Sequence, residues 1–138
     1  MSRKFTLTVI SIFAILAFML AASGCGAVKS AQAFSQTGND FMTDLKEAKY
    51  EAAYALFHQN LQSEVGSVAG LQKMIEDNNA QPKEWTFSSW NMSTDADGNT
   101  TASSEGTVTF QDDRKGTVAL ELVKVGEAWK LLSFSLNW

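Results

Sequence analysis

The sequence predicts an α+β domain in which two or three helices pack on a curved four-stranded antiparallel β-meander. Three observations predict it. Apolar residues recur every three or four positions between Phe34 and Ile75, the period falls to two after Pro82, and short polar turns join the period-two runs. Strands never alternate with helices, which excludes a parallel sheet of the βαβ kind.

A separate signal precedes this domain. Arg3 and Lys4 lead into an apolar run from Phe5 to Leu20, interrupted by Thr6, Thr8 and Ser11, and the run ends at Ala21-Ala22-Ser23-Gly24. A positive start, an apolar stretch and a small-residue exit read as an export signal peptide over residues 1–24. Cys25 follows at once, and its thiol can carry a diacylglyceryl group. The segment resembles a bacterial lipobox, with Ala22 where leucine is usual and Leu20 two positions earlier. The alternatives are an uncleaved anchor, since about 20 weakly polar residues span roughly 30 Å of hydrocarbon as a helix, and an ordinary secretory signal followed by a chance cysteine.

Cys25 is the single cysteine of the 138 residues, so an exported chain forms no internal disulfide, and acylation would use the thiol. Attachment then rests on acyl chains of the palmitate kind, each buried methylene contributing about 0.8 kcal/mol. Residues 25–32 form a lipidated tether and 33–138 the domain. The expected place is the bacterial cell membrane, lipid-anchored on its extracytoplasmic face. Net charge is −4, and removal of Arg3 and Lys4 makes the remainder more acidic, which disfavours nucleic acid and anionic head groups as partners.

Phe34, Phe41, Leu45, Ala48, Ala52 and Leu56 form one helical stripe, and Tyr50, Tyr54, Phe57 and Leu61 a second. The stripe shifts near Lys46-Glu47-Ala48-Lys49, where two helices with a tight break fit as well as one long helix. Ser67 caps a further helix with Val68, Leu71, Met74 and Ile75 inward, and Asn78 to Pro82 stops it. In the first strand Trp85 and Phe87 oppose Trp90 and Met92 in parity, and a bulge at Ser88-Ser89 would return all four to one face. The second strand presents Ala102, Ser104, Gly106, Val108 and Phe110, the third Val118, Leu120 and Leu122. In the fourth, Leu132, Phe134, Leu136 and Trp138 point inward. Asp95 to Asn99, Asp112 to Gly116 and Gly126 to Ala128 are the hairpin connections, short enough to force sequential antiparallel neighbours.

Two stretches carry a family resemblance. Phe41-Met42-Thr43-Asp44-Leu45-Lys46-Glu47-Ala48-Lys49-Tyr50-Glu51-Ala52-Ala53-Tyr54-Ala55-Leu56-Phe57, followed by Val123-Lys124-Val125-Gly126-Glu127-Ala128-Trp129-Lys130-Leu131, resembles the NTF2-like (cystatin-like) superfamily, and within it small bacterial lipoproteins of unknown function. The resemblance implies a curved sheet wrapped around helices, often with a cone-shaped pocket between them. The short sheet and minimal loops weigh against a large pocket.

Little in the composition supports catalysis. The single histidine, His58, reads as a solvated or capping residue at the end of the second stripe. Some NTF2-like enzymes use a buried carboxylate with a tyrosine, and Asp40, Asp44, Tyr50 and Tyr54 are the comparable pieces. Asp95 to Asn99 starts like a calcium loop, but Thr100 and Gly106 stand where glycine and glutamate belong, so it reads as a turn and no metal is expected. Asn91-Met92-Ser93 and Asn99-Thr100-Thr101 match the N-glycosylation pattern, which the lipobox makes irrelevant.

The aromatic residues are the remaining signal. Trp85, Trp90, Phe110 and Phe134 line the inner face, as core or as the wall of an apolar ligand site. Trp129 opposes Leu132 in parity, so either a bulge turns it inward or it is exposed as a partner surface. The sequence therefore favours a non-enzymatic binding module for a small apolar ligand or an envelope protein, without catalytic residues or cofactor, and with homodimerisation through the sheet open to it. An isomerase or dehydratase on the same cone is the alternative.

Overall fold

The computed structural model describes residues 33–138. The signal peptide, Cys25 and the tether lie outside the described residues. Helix α1 covers 33–46, α2 Tyr50–Ala55, α3 Gln59–Val65 and α4 Val68–Asp77; the strands are β1 (Pro82–Thr94), β2 (Thr100–Phe110), β3 (Lys115–Val125) and β4 (Ala128–Asn137). The sheet is an antiparallel meander in the order β1-β2-β3-β4, as the short turns require.

The helical break near Lys49 is a Schellman motif without glycine. The Lys49 amide donates to the Asp44 carbonyl at 2.7 Å and the Ala48 amide to the Leu45 carbonyl at 3.2 Å, with Ala48 left-handed at φ 57. The same closure ends α4, where Asn79 takes φ 50 and the Ala80 amide donates to the Ile75 carbonyl at 2.8 Å. A second interruption, at Leu56 to His58, makes four helices rather than two or three. Its cause is tertiary: Phe57 forms an isolated parallel bridge with Leu131 of β4, and the Leu56 carbonyl and His58 amide that make it cannot also serve a helix. His58 then caps α3, its Nδ1 accepting from the Asn60 amide at 3.2 Å. Ser67 caps α4 in the same manner through the Gly70 amide.

The bulge expected in β1 is present. Phe87 pairs with Gly106 and Ser89 with Glu105, so Ser88 is the extra residue. Trp85, Phe87 and Trp90 are consequently half-buried against the core, while Met92 runs past it and is 57% exposed. All five inward residues of β2 are buried. The one buried hydroxyl among them, on Ser104, donates to the Ser89 carbonyl at 2.7 Å.

The fourth strand departs from the expected alternation. Glu121 pairs with Ser133 but Leu122 with Leu131, which leaves Leu132 as a bulge. Parity reverses there, so Trp129 and Leu131 join Phe134 and Leu136 on the helix side. Trp129 is 5% exposed and packs edge-on against Phe34 at 5.4 Å. Of the two alternatives for Trp129 the inward one holds, and it cannot be a partner surface. Trp138 instead is 54% exposed.

Candidate functional site

Between the helices and the sheet the interior is filled by rings. Phe41 packs on Phe57 and Phe134 at 5.7 and 5.2 Å, and Phe34 sits between Trp90 and Trp129. Aromatic pairs at these separations add about 0.5–1.5 kcal/mol each beyond simple burial.

Of the four aromatic residues expected at a ligand wall, three are engaged elsewhere. The Trp85 indole N–H donates to Asn39 Oδ1 at 2.9 Å, and Trp90 packs at a tilt against Phe34 and Phe87 at 5.2 and 4.9 Å. Phe110 is fully buried beneath Arg114 and Trp138. Phe134 lines an apolar cleft. That cleft, of about 230 Å³, opens between α4 and β4 and is walled by Met74, Ile75, Ala80, Phe134, Leu136 and Trp138, with Asn78 and Ser135 as its polar groups.

Arg114 fixes one side of the cleft. Its guanidinium lies 4.5 Å from the Trp138 ring centroid, donates to the Asn78 and Asn79 carbonyls at 3.1 and 2.8 Å, and pairs with Asp112 at 2.6 Å. One side chain thus joins the end of α4, the β2–β3 turn and the last strand. Cation–π stacking holds the Trp138 ring in place although half its surface is open. Burial pushes the Asp112 carboxyl up, but the Arg114 hydrogen bonds outweigh it and hold the group below its ordinary value. Sequence reasoning missed Arg114, because a basic residue in a hairpin turn looks like any solvated charge.

The candidate acid–tyrosine set does not converge. The Tyr54 hydroxyl donates to the Gln62 carbonyl at 3.1 Å. Tyr50 is buried, and burial followed by the nearby Glu76 charge raises its hydroxyl above the ordinary value. It borders a broad open groove of about 610 Å³ between α2 and α4, together with Ala52, Ala55, Val68 and Gln72. Asp40 is exposed on α1. Asp44 is half-exposed on the same helix, and burial, then Asp40, raises its carboxyl. No Asp or Glu stands in the wall of the α4–β4 cleft.

The Asp95 to Asn99 turn closes on itself. Asp95 Oδ1 accepts from the Asp97 and Asn99 amides at 2.9 Å each, and the Asn99 side chain donates to Oδ2. Hydrogen bonds from Asn99, by its side chain first, hold the Asp95 carboxyl below its ordinary value. Its oxygens are spent on the turn. Among the described residues no group of three His, Cys, Asp or Glu is placed to hold a metal ion, and no helix is long and apolar enough to cross a membrane.

No family profile and no curated protein matches the sequence. Solved structures do match the fold. Aln2 from a Streptomyces species is similar over 79% of this chain and 90% of its own, at 15% identity and a TM-score of 0.53. An NTF2-like protein of unknown function from Shewanella oneidensis is similar over 78% and 98%, at 12% identity and 0.54. ActVI-ORFA from Streptomyces coelicolor is similar over 77% and 95%, at 15% identity and 0.54. Helices followed by a curved four-stranded meander, together with these neighbours, give residues 33–138 the fold that the NTF2-like Shewanella protein also has.

Proposed function

We propose that this chain is a lipid-anchored protein of the bacterial cell envelope whose NTF2-like domain is a non-enzymatic binding module. The anchor is a diacylglyceryl group on Cys25. The observation that carries the binding role is the α4–β4 cleft, which is apolar, rimmed by the open Trp138 ring and lined by no Asp or Glu side chain. An isomerase or dehydratase needs a carboxylate aimed into an apolar pocket to move a proton. Asp44 stands outside this one.

Size selects the occupant. A cleft of about 230 Å³ falls below the roughly 300–1,000 Å³ that hold a drug-sized ligand. It suits one protruding apolar side chain of an envelope protein, or a short acyl or ring group, better than a polycyclic substrate.

Two experiments test the reading. Cys25→Ser should leave the protein unprocessed or released, and unchanged mass and membrane retention would refute the anchor. A photo-crosslinking residue at Ser135 should capture an envelope protein in intact cells, and Met74→Glu should abolish that capture. Native mass spectrometry of the exported domain separates the cases: bare mass fits a protein partner, a retained few hundred daltons fits a small ligand, and capture that survives Met74→Glu with no bound ligand removes the cleft from consideration.

A further inference from the structure

The free edge of the sheet carries a self-complementary segment. β1 is a terminal strand, and among the described residues it pairs with β2 alone. The opposite terminal strand is partly occupied: the His58 amide donates to the Leu131 carbonyl at 2.7 Å, the Leu131 amide to the Leu56 carbonyl at 2.8 Å, and Lys130 Nζ to the Ala55 carbonyl. Among the described residues β1 therefore offers the longer open edge. From Trp85 to Thr94 it contains no charge, no proline and no glycine, whereas charges and prolines are the usual means of keeping edges apart. Its bulge lies at Ser88, so the stretch beyond is regular. There Met92 stands 57% exposed, on the same face as Trp90.

We propose that two copies of this chain pair antiparallel through this edge, about a two-fold axis at Asn91. Opposed residues in an antiparallel pair share a face. In this register Trp90 meets Met92 of the second copy, and the reciprocal contact forms across the axis, each a thioether against an indole. On the outer face Ser89 meets Ser93, and Asn91 meets itself. An axis at Trp90 would set Met92 against the Ser88 bulge, and one at Met92 would run the pairing into the Asp95 turn sooner. Lys83 and Glu84 fall outside the paired stretch, so no like charges meet, and the paired strands satisfy each other's outward amides and carbonyls. β4 lies at the far edge, so both α4–β4 clefts stay open in the dimer.

The test is disulfide trapping of the full chain in the host envelope. Opposed residues across the axis have Cα atoms about 4.5–5.5 Å apart, within disulfide reach. Asn91→Cys should give a covalent dimer on mild oxidation, above any seen for the unaltered chain with its single Cys25. Ser93→Cys should give none by itself but should join Ser89→Cys when the two are co-expressed. Met92→Lys in the Asn91→Cys background should reduce trapping, and by sedimentation should weaken association roughly tenfold. Absence of an Asn91→Cys dimer overturns the proposal, as does stronger trapping at Thr107→Cys on the outer face or at Asn137→Cys on the β4 edge.

Discussion

The Trp90 indole lies directly against Gly38 of α1: a methyl group built on Gly38 would come within 2.7 Å of Trp90 Cη2 and 3.1 Å of Leu120 Cδ1. The first helix can approach β1 this closely because that position has no side chain. Replacing a mid-helix glycine with alanine normally stabilises by about 1 kcal/mol, whereas overpacking a core costs about 1–3 kcal/mol. The clash should win. Gly38→Ala is expected to lower the melting temperature, and Trp90→Phe in the same chain to recover part of the loss. An additive double mutant would show that the two residues do not meet.

Ala48 predicts the opposite sign. It holds the left-handed position of the α1 closure at φ 57, where a β-carbon costs about 1–2 kcal/mol. Ala48→Gly should therefore stabilise by about 1 kcal/mol, read from chemical denaturation with an unchanged slope. Its exposed side chain forfeits little by removal.

His58 should matter as an acceptor and not as a base. His58→Ala removes the cap on the Asn60 amide and is expected to cost about 1 kcal/mol, while His58→Asn keeps an acceptor and should cost less. Equal losses in the two variants would refute the capping role.

Asp44 predicts a pH-dependent difference. Burial, then the Asp40 charge, raises its carboxyl above the ordinary 3.8, so folding disfavours the ionised form. The penalty is absent in strong acid and develops as pH rises through the ordinary value toward the raised one. Asp44→Asn should thus raise the melting temperature at neutral pH, with the gain fading below the ordinary value. A gain that stays constant with pH would rule out this origin.

Period and parity made most of this fold legible. The parity conflict between Phe87 and Trp90 located the Ser88 bulge, and the short polar turns set the strand order. The Leu132 bulge was harder, since Leu132 to Trp138 alternate cleanly in sequence and only the misfit of Trp129 betrayed a break. The helical interruption at Phe57 was hidden, because its cause is a strand far along the chain. Of the candidate site, Phe134 was legible as an inward aromatic. Met74 and Trp138 become neighbours only through the packing of α4 on β4, and the part played by Arg114 depends on three segments meeting at one guanidinium.

The Phe57–Leu131 bridge also bears on how this chain reaches its native state. Together with the Lys130 contact to the Ala55 carbonyl, 75 positions away, it fastens the middle of the helical layer to the final strand. Such long-range closure slows folding. A chain emerging from its amino end must carry Phe41 and Phe57 without their Phe134 partner until β4 arrives, so the interval before the last strand is made is when this domain most needs a holding chaperone.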